Sequence, residues 1–379
     1  MFLKSKRVWL EERFQPMQIR VEGGKITGLL PYDQPADALD YGDLRILPGL
    51  IDIHNHGYLG GDSNHATADW LRKWVSYLPS EGVTSLLATT SSAPEDTMLR
   101  GMEAIADAIE QHPRGAEILG VYSEGPLISV EFRGAQDEAC IVKPTPEKIT
   151  QYQNACRGRL VYCCIAPEMD EELAATRFCV GQGIRVSLGH TGATFDQCAA
   201  ARAAGAVSFA HTYNAMRGLH HREPGTLGAA MYFKDMYAEL IGDGVHVDFR
   251  AANLLARLKG KDRLILVTDS VQIKGLPPGE YHAQDRHVFL GEDGVGRLPN
   301  GSIAGSAARM NRLLGNLIDK AGVPEVTAIN AATCNPVEML GLADRKGYIR
   351  SGWDADLVVL EDDYTVRQTY CLGEAMLGG

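Results

Sequence analysis

The sequence predicts an α/β chain: a (β/α)8 barrel of the TIM type with a small β-sandwich domain formed by both chain termini. Three observations carry this. Eight short apolar runs recur through the middle of the chain, separated by helical patterns. Strands alternating with helices build a parallel sheet, and eight is the number that closes a barrel. The two ends instead alternate apolar and polar residues, as strands with one wet face do. Finally, no G-x-G-x-x-G follows an early strand, which argues against a doubly wound sheet. The barrel is assigned to residues 46–345, and the β-domain to 1–45 together with 346–379.

At the N-terminal end, residues 2–10 and 17–30 read as strands, the second broken by the turn Glu22-Gly23-Gly24-Lys25. Leu357-Val358-Val359-Leu360 and residues 366–372 read the same way at the other end. Neither end buries an apolar face alone, so the two are expected to pair. The eight barrel runs are 46–56, 85–90, 118–124, 160–168, 184–190, 206–214, 238–246 and 264–269. Between them, Met98, Met102, Ile105 and Ile109 share one helix face, as do Trp70, Trp74 and Leu78. Residues 272–302, rich in Gly and Pro, read as a long loop or hairpin after the eighth strand.

Composition narrows the function classes. A formal net charge of -11 argues against a non-specific binder of nucleic acid or anionic membranes. A phosphorylated small molecule is still compatible, provided a local cluster of donors meets it. No apolar run approaches a membrane span, and residues 1–14 lack the apolar stretch of a signal peptide. The eight cysteines include no C-x-x-C pair, and Cys163 and Cys164 sit together in an apolar run. That pattern predicts free buried thiols in a reducing, cytoplasmic compartment, with no disulfide framework.

The chemistry is carried by where the polar residues fall. Nearly every apolar run ends in His, Glu or Asp, and in a barrel those ends meet at one face. Six residues stand out: His54, His56, Glu124, His190, His211 and Asp269. His54 and His56 are two apart in a strand, so both imidazoles face the same side. Such a pair suits zinc, iron or a similar divalent ion. Each residue alone also fits a plainer role: a hydrogen-bonded histidine at a strand end, or a salt-bridge partner for Glu124. The conjunction decides, because one fold brings four histidines and two carboxylates to one opening. Metal coordination also removes the cost of burying so many unpaired polar groups together.

These residues sit in longer motifs. They are Pro48-Gly49-Leu50-Ile51-Asp52-Ile53-His54-Asn55-His56-Gly57, Glu124-Gly125-Pro126, Ala166-Pro167-Glu168, Gly189-His190-Thr191 and His211-Thr212-Tyr213-Asn214-Ala215-Met216. His221-Arg222-Glu223-Pro224-Gly225, Asp243-Gly244-Val245-His246, Val267-Thr268-Asp269-Ser270 and Gly352-Trp353-Asp354-Ala355-Asp356-Leu357-Val358 complete the set. Together they resemble the amidohydrolase superfamily and, within it, the N-acetylglucosamine-6-phosphate deacetylases, nearly end to end. The first motif marks only the superfamily; its combination with E-G-P, H-R-E-P-G and D-G-x-H marks the deacetylases.

The resemblance implies hydrolysis of the acetamide of N-acetyl-D-glucosamine 6-phosphate, in amino-sugar catabolism and recycling, with Asp269 as proton shuttle. It implies one or two divalent ions per subunit, zinc or iron, with manganese also acceptable. Glu124, His190 and His211 would hold the ion common to the family. His54 and His56, with Glu124 bridging and Asp269 nearby, would complete a second site. Ala135, Gln136, Asn214, Ala215, Arg222, His246 and the turn Ile303-Ala304-Gly305 would contact the substrate. The family is expected to be homodimeric, with Arg222 reaching the neighbouring active site. One position departs from the commoner pattern: Gly134-Ala135 is followed by Gln136 rather than His. A Gln amide can donate to an oxyanion but cannot become cationic. Two other readings stay open: an N-acetylgalactosamine-6-phosphate deacetylase, and a binding protein on an inactive amidohydrolase scaffold, which the complete set of six residues argues against.

Overall fold

A computed structural model describes residues 1–34, 37–283 and 286–376. The chain starts in strands β1 (Phe2–Leu10), β2 (Arg13–Glu22), β3 (Lys25–Pro31), β4 (Ala38–Asp40) and β5 (Arg45–Pro48). It then enters the barrel at β6 (Leu50–Asn55), followed by a small hairpin, β7 (Gly57–Tyr58) and β8 (Gly61–Asp62). The barrel continues with β9 (Val83–Ser91), β10 (Glu117–Glu124), β11 (Leu160–Ile165), β12 (Arg185–Leu188), β13 (Ser208–Phe209), β14 (Tyr237–Ile241) and β15 (Leu264–Val267). Each of the eight apolar runs thus contributes one barrel strand. They pair in parallel in the order β15-β14-β13-β12-β11-β10-β9-β6. The ring closes where Asp269 N–H donates to His54 O at 2.9 Å and His56 N–H to Ser270 O at 2.8 Å. Closure therefore joins the first and last strands at the very residues that carry candidate ligands.

Two apolar layers follow from the strand geometry. Side chains alternate across each strand, so one set fills the barrel interior with Ile51, Ile53, Leu87, Tyr122, Tyr162, Ile265 and Val267. The other set packs outward against helices: Met98, Met102 and Ile105 of the helix Glu95–Gln111 are buried, as is Trp74 of the helix Ala68–Tyr77.

The segment read as a loop or hairpin is a four-stranded antiparallel sheet, β16 (Gly279–Ala283), β17 (Arg286–Leu290), β18 (Val295–Arg297) and β19 (Ile303–Ser306). Its core is small, centred on Ile273, Val288 and Leu290, too few residues to set a clear period in sequence. The chain returns through β20 (Leu357–Leu360), β21 (Val366–Cys371) and β22 (Glu374–Ala375). β20 pairs with β5, so both chain ends share one eight-stranded sheet. It packs on a core of its own, including Leu3, Val8, Ile19, Ile26, Ile46, Leu357 and Val359. Seven of the eight cysteines are buried thiols, and Cys140 is half-buried. Among the described residues, no helix is long and apolar enough to cross a membrane.

Candidate metal centre and active site

The C-terminal ends of the barrel strands surround a cavity of about 530 Å³. His54 and His56 come from the end of β6, Glu124 from the end of β10, His190 from beyond β12, His211 from beyond β13 and Asp269 from beyond β15. They form two groups whose donor atoms lie within 4.8 Å of one another: His54, His56 and Asp269, and Glu124, His190 and His211. Glu124 joins the groups. Its Oε1 is 2.7 Å from His211 Nε2, 3.0 Å from His190 Nε2 and 3.2 Å from His54 Nε2. Its Oε2 is 3.3 Å from His56 Nε2, and Asp269 Oδ1 is also 3.3 Å from that atom. Three of these residues leave their strands with positive φ: His190 at 46°, His211 at 24° and Asp269 at 47°. Non-glycine residues in that region cost about 1–3 kcal/mol each and concentrate at functional sites.

The outer bonds of the histidines fix which nitrogen faces inward. His54 Nδ1 lies 2.8 Å from Glu239 Oε2 and His190 Nδ1 lies 2.9 Å from the Phe132 carbonyl. Both partners only accept, so Nδ1 carries the proton and Nε2 presents a lone pair. On the neutral rings, lone pairs of imidazole and carboxylate then face each other at about 3 Å. His54 Nε2 makes no hydrogen bond despite that proximity. Such a set fits a divalent cation, and the carboxylate–histidine arrangement of Glu239 and His54 is the usual support for a ligating imidazole. The surrounding carboxylates also favour positive charge at this spot, whether a proton or a cation brings it. Burial opposes charge on His54, His56 and His211, yet the surrounding carboxylates outweigh it and hold all three above the usual imidazole range, His56 at about 9. Burial also opposes ionisation of Glu124 and Asp269, but the facing imidazoles hold both below the usual carboxylate range.

The cavity also gathers Ala135, Gln136, Asn214, Ala215, His246, Ile303, Ala304 and Gly305, with β19 and Val288 of β17 forming one wall. His246 is aimed by Asp243, whose Oδ2 lies 2.5 Å from Nδ1, and its buried Nε2 has no hydrogen-bond partner. Gln136 donates to Glu124 and accepts from Ser92. Arg222 is the exception. It lies exposed on the loop before the helix Gly225–Tyr232, 2.9 Å from His221 Nε2, and does not line this cavity. Two residues absent from the sequence reading take part: Glu239 and Ser92. The signal for Glu239 was a carboxylate inside the apolar run 238–246, since a buried Glu needs a partner. A larger cavity of about 670 Å³ at the opposite end of the barrel, between Trp9, Met17 and Tyr348, is lined by no histidine among the described residues.

The amidohydrolase family model matches residues 45–376. The chain belongs to the amidohydrolase family. Within that family it is 34% identical to the N-acetylglucosamine-6-phosphate deacetylase of Vibrio furnissii, over 93% of this chain and 88% of that one. It is also 34% identical to the N-acetylgalactosamine-6-phosphate deacetylase of Escherichia coli O157:H7, over 98% of both. Among solved structures, the N-acetyl-D-glucosamine-6-phosphate deacetylase of Mycobacterium smegmatis superposes with a TM-score of 0.94 at 31% identity, covering 100% of each chain. These members of the family match the barrel and the terminal sheet together, not the barrel alone.

Proposed function

We propose that this enzyme hydrolyses the acetamide of N-acetyl-D-glucosamine 6-phosphate to D-glucosamine 6-phosphate and acetate. The observation that carries the reading is the pair of cation-ready donor groups sharing Glu124 at the floor of a cavity, with Asp269 beside them. Glu124, His190 and His211 would hold one divalent ion, and His54, His56 and Asp269 with Glu124 a second. A divalent cation there supplies Lewis acidity and lowers the pKa of water from about 15.7 to about 7. Zinc or iron suits the donors best, with manganese acceptable. Asp269, ionised and facing the cavity, accepts the proton of the attacking water and then delivers it to the departing amine. His246 presents Nε2 to the sugar or its phosphate, and Asn214, Ala135, Ala215 and the turn Ile303-Ala304-Gly305 shape the remaining wall. The terminal sheet runs through β5 to Pro48, three residues past the proposed boundary at 45, and its returning strands lie beyond 346; a cytoplasmic location is supported by the seven buried thiols.

Charge supports a homodimer. The cavity is lined by Glu124, Glu131 and Asp269 but, among the described residues, by no Lys or Arg. A sugar phosphate carries about 1.5 to 2 negative charges, by analogy with phosphorylated side chains, and the described lining offers no permanent cation to meet them. Arg222 of a second copy supplies it; exposed Leu219 and Tyr232 beside that loop suit a packed interface. In co-expressed Arg222→Ala and Asp269→Ala chains, random pairing restores about a quarter of the sites if Arg222 acts across the interface. Activity no higher than that of either variant alone refutes the exchange.

The Escherichia coli relative favours a second reading, the galacto epimer as substrate. Acetate release from both sugar phosphates, compared as kcat/KM before and after chelation, tests the whole assignment. Failure to hydrolyse either one, or full activity without a divalent cation, rejects it.

A further inference from the structure

Resting on that reading, we infer that Gln136 is a positioning residue for Glu124, clamped by Ser92, rather than a donor to the substrate's acetamide. Gln136 is only 8% exposed, and every polar atom of its amide is engaged. Oε1 accepts from Ser92 N–H at 2.8 Å and Ser92 Oγ–H at 2.5 Å. Nε2 donates to Glu124 O and to Glu124 Oε2, each at 3.1 Å. The orientation of the amide is not arbitrary. Ser92 N–H is a fixed backbone donor, so the oxygen must face it and the NH2 group must face Glu124. An amide nitrogen has two hydrogens, and both are spent. His190 Nε2, 3.4 Å from Gln136 Nε2, only tightens the same corner.

Gly125 makes room for the clamp. Its φ is +100°, and a Cβ there would come within 2.5 Å of Gln136 Oε1 and 2.6 Å of Ser92 Oγ. The glycine that follows Glu124 thus lets the amide reach over the backbone to the carboxylate of the preceding residue.

The consequence for Glu124 is directional. With Oε2 held by a neutral donor, Oε1 points to His211, His190 and His54. The donor adds no positive charge, so it fixes the bridging carboxylate without repelling a cation beside it. Supporting bonds of this kind set ligand orientation, and their loss typically costs 10–100-fold in metal affinity. Gln at this position, in place of His, therefore serves the ligand set instead of polarising an amide.

The test titrates Zn2+ against a competing chelator into metal-free wild type, Gln136→Met and Ser92→Ala. Gln136→Met should raise the Zn2+ dissociation constant about 10–100-fold, and turnover should climb back as Zn2+ is raised. Ser92→Ala keeps the backbone donor and should shift affinity the same way by less. A merely structural bond would leave affinity unchanged. A donor to the oxyanion would also leave it unchanged, while kcat at saturating Zn2+ fell about 10²–10³-fold. Either result overturns the inference. If Gln136→Met does not fold, wild-type Zn2+ affinity in Ser92→Ala does the same. A wild type that binds no divalent cation overturns the proposed function as well, whereas unshifted variants overturn this inference alone.

Discussion

Two buried acidic clusters lie at opposite ends of the barrel, and they are neutralised differently. At the lower end, against the terminal sheet, Glu117, Asp354 and Asp356 surround Lys346, whose side chain is 1% exposed. Lys346 Nζ is 2.8 Å from Glu117 and 3.1 Å from Asp354, and it contacts Asp356. Arg345 adds bonds to Glu117 at 2.6 Å and Asp354 at 2.9 Å, and Lys25 reaches Asp354 at 2.6 Å. Three carboxylates meet three side-chain cations. At the upper end Glu124 and Glu239 are buried and Asp269 nearly so, but they meet imidazoles and neutral donors such as Gln136 and Tyr162, and no Lys or Arg among the described partners. A cluster that holds the protein together carries its own positive charge; one that performs chemistry leaves that place to an ion from solution.

The contrast can be broken at either end. Lys346→Met should be the most damaging change, destabilising the fold by about 3–5 kcal/mol because three carboxylates lose their buried partner. Urea unfolding measures this, and cation content should stay at the wild-type level. A large loss of bound ion would mean the two ends are coupled. Asp269→Asn acts in reverse: kcat should fall by at least about 100-fold with little change in urea midpoint. Near-normal turnover would move the proton shuttle to another residue. Glu239→Gln keeps shape but removes charge from the partner of His54 Nδ1 and of Tyr162 OH. Cation affinity should weaken about 10–100-fold, read by chelator competition; unchanged affinity would make Glu239 an ordinary core acid.

The smallest effect is the pH dependence of the lower cluster. Burial resists ionisation of Glu117 and Asp354, yet Arg345 and Lys346 beside Glu117, and Lys25 with Lys346 beside Asp354, hold both below the usual carboxylate range. Their contribution is therefore complete above the ordinary carboxylate pKa and is lost as pH falls through the lowered values. Asp356 opposes this, since burial outweighs the Lys346 charge and holds it up. Between pH 6 and 3 the wild type should lose more stability than Lys346→Met does. Parallel curves would show that Lys346 contributes nothing to the acid limb.

How legible each part was follows from where its cause lies. The barrel strands could be read because apolar runs and their polar ends are local patterns, and His54, Glu124, His190, His211 and Asp269 fall at those ends. Glu239 and Ser92 were missed because their roles depend on strands remote in sequence. Glu239 meets His54 across 185 positions, and Ser92 meets Gln136 across 44. Sequence spacing carries no trace of either bond. Gln136 was legible as a cavity residue, but which way its amide faces is set by the backbone N–H of Ser92, just beyond β9. Arg222 could be placed on its loop, yet the side chain lies outside this chain's cavity and waits on an assembly for its meaning.

Barrel closure also gives the site a history. His54 and Asp269 meet only where the first strand joins the last, through the bond from Asp269 N–H to His54 O. Contacts between such distant segments form late, because the long intervening loop must be closed before they return any stabilisation. A nascent or partly folded chain therefore offers Glu124, His190 and His211 from strands that pair early, but not the complete double set. Assembly of the full donor set is thus expected at the end of folding, and zinc uptake followed in real time during refolding would report the closing of the ring.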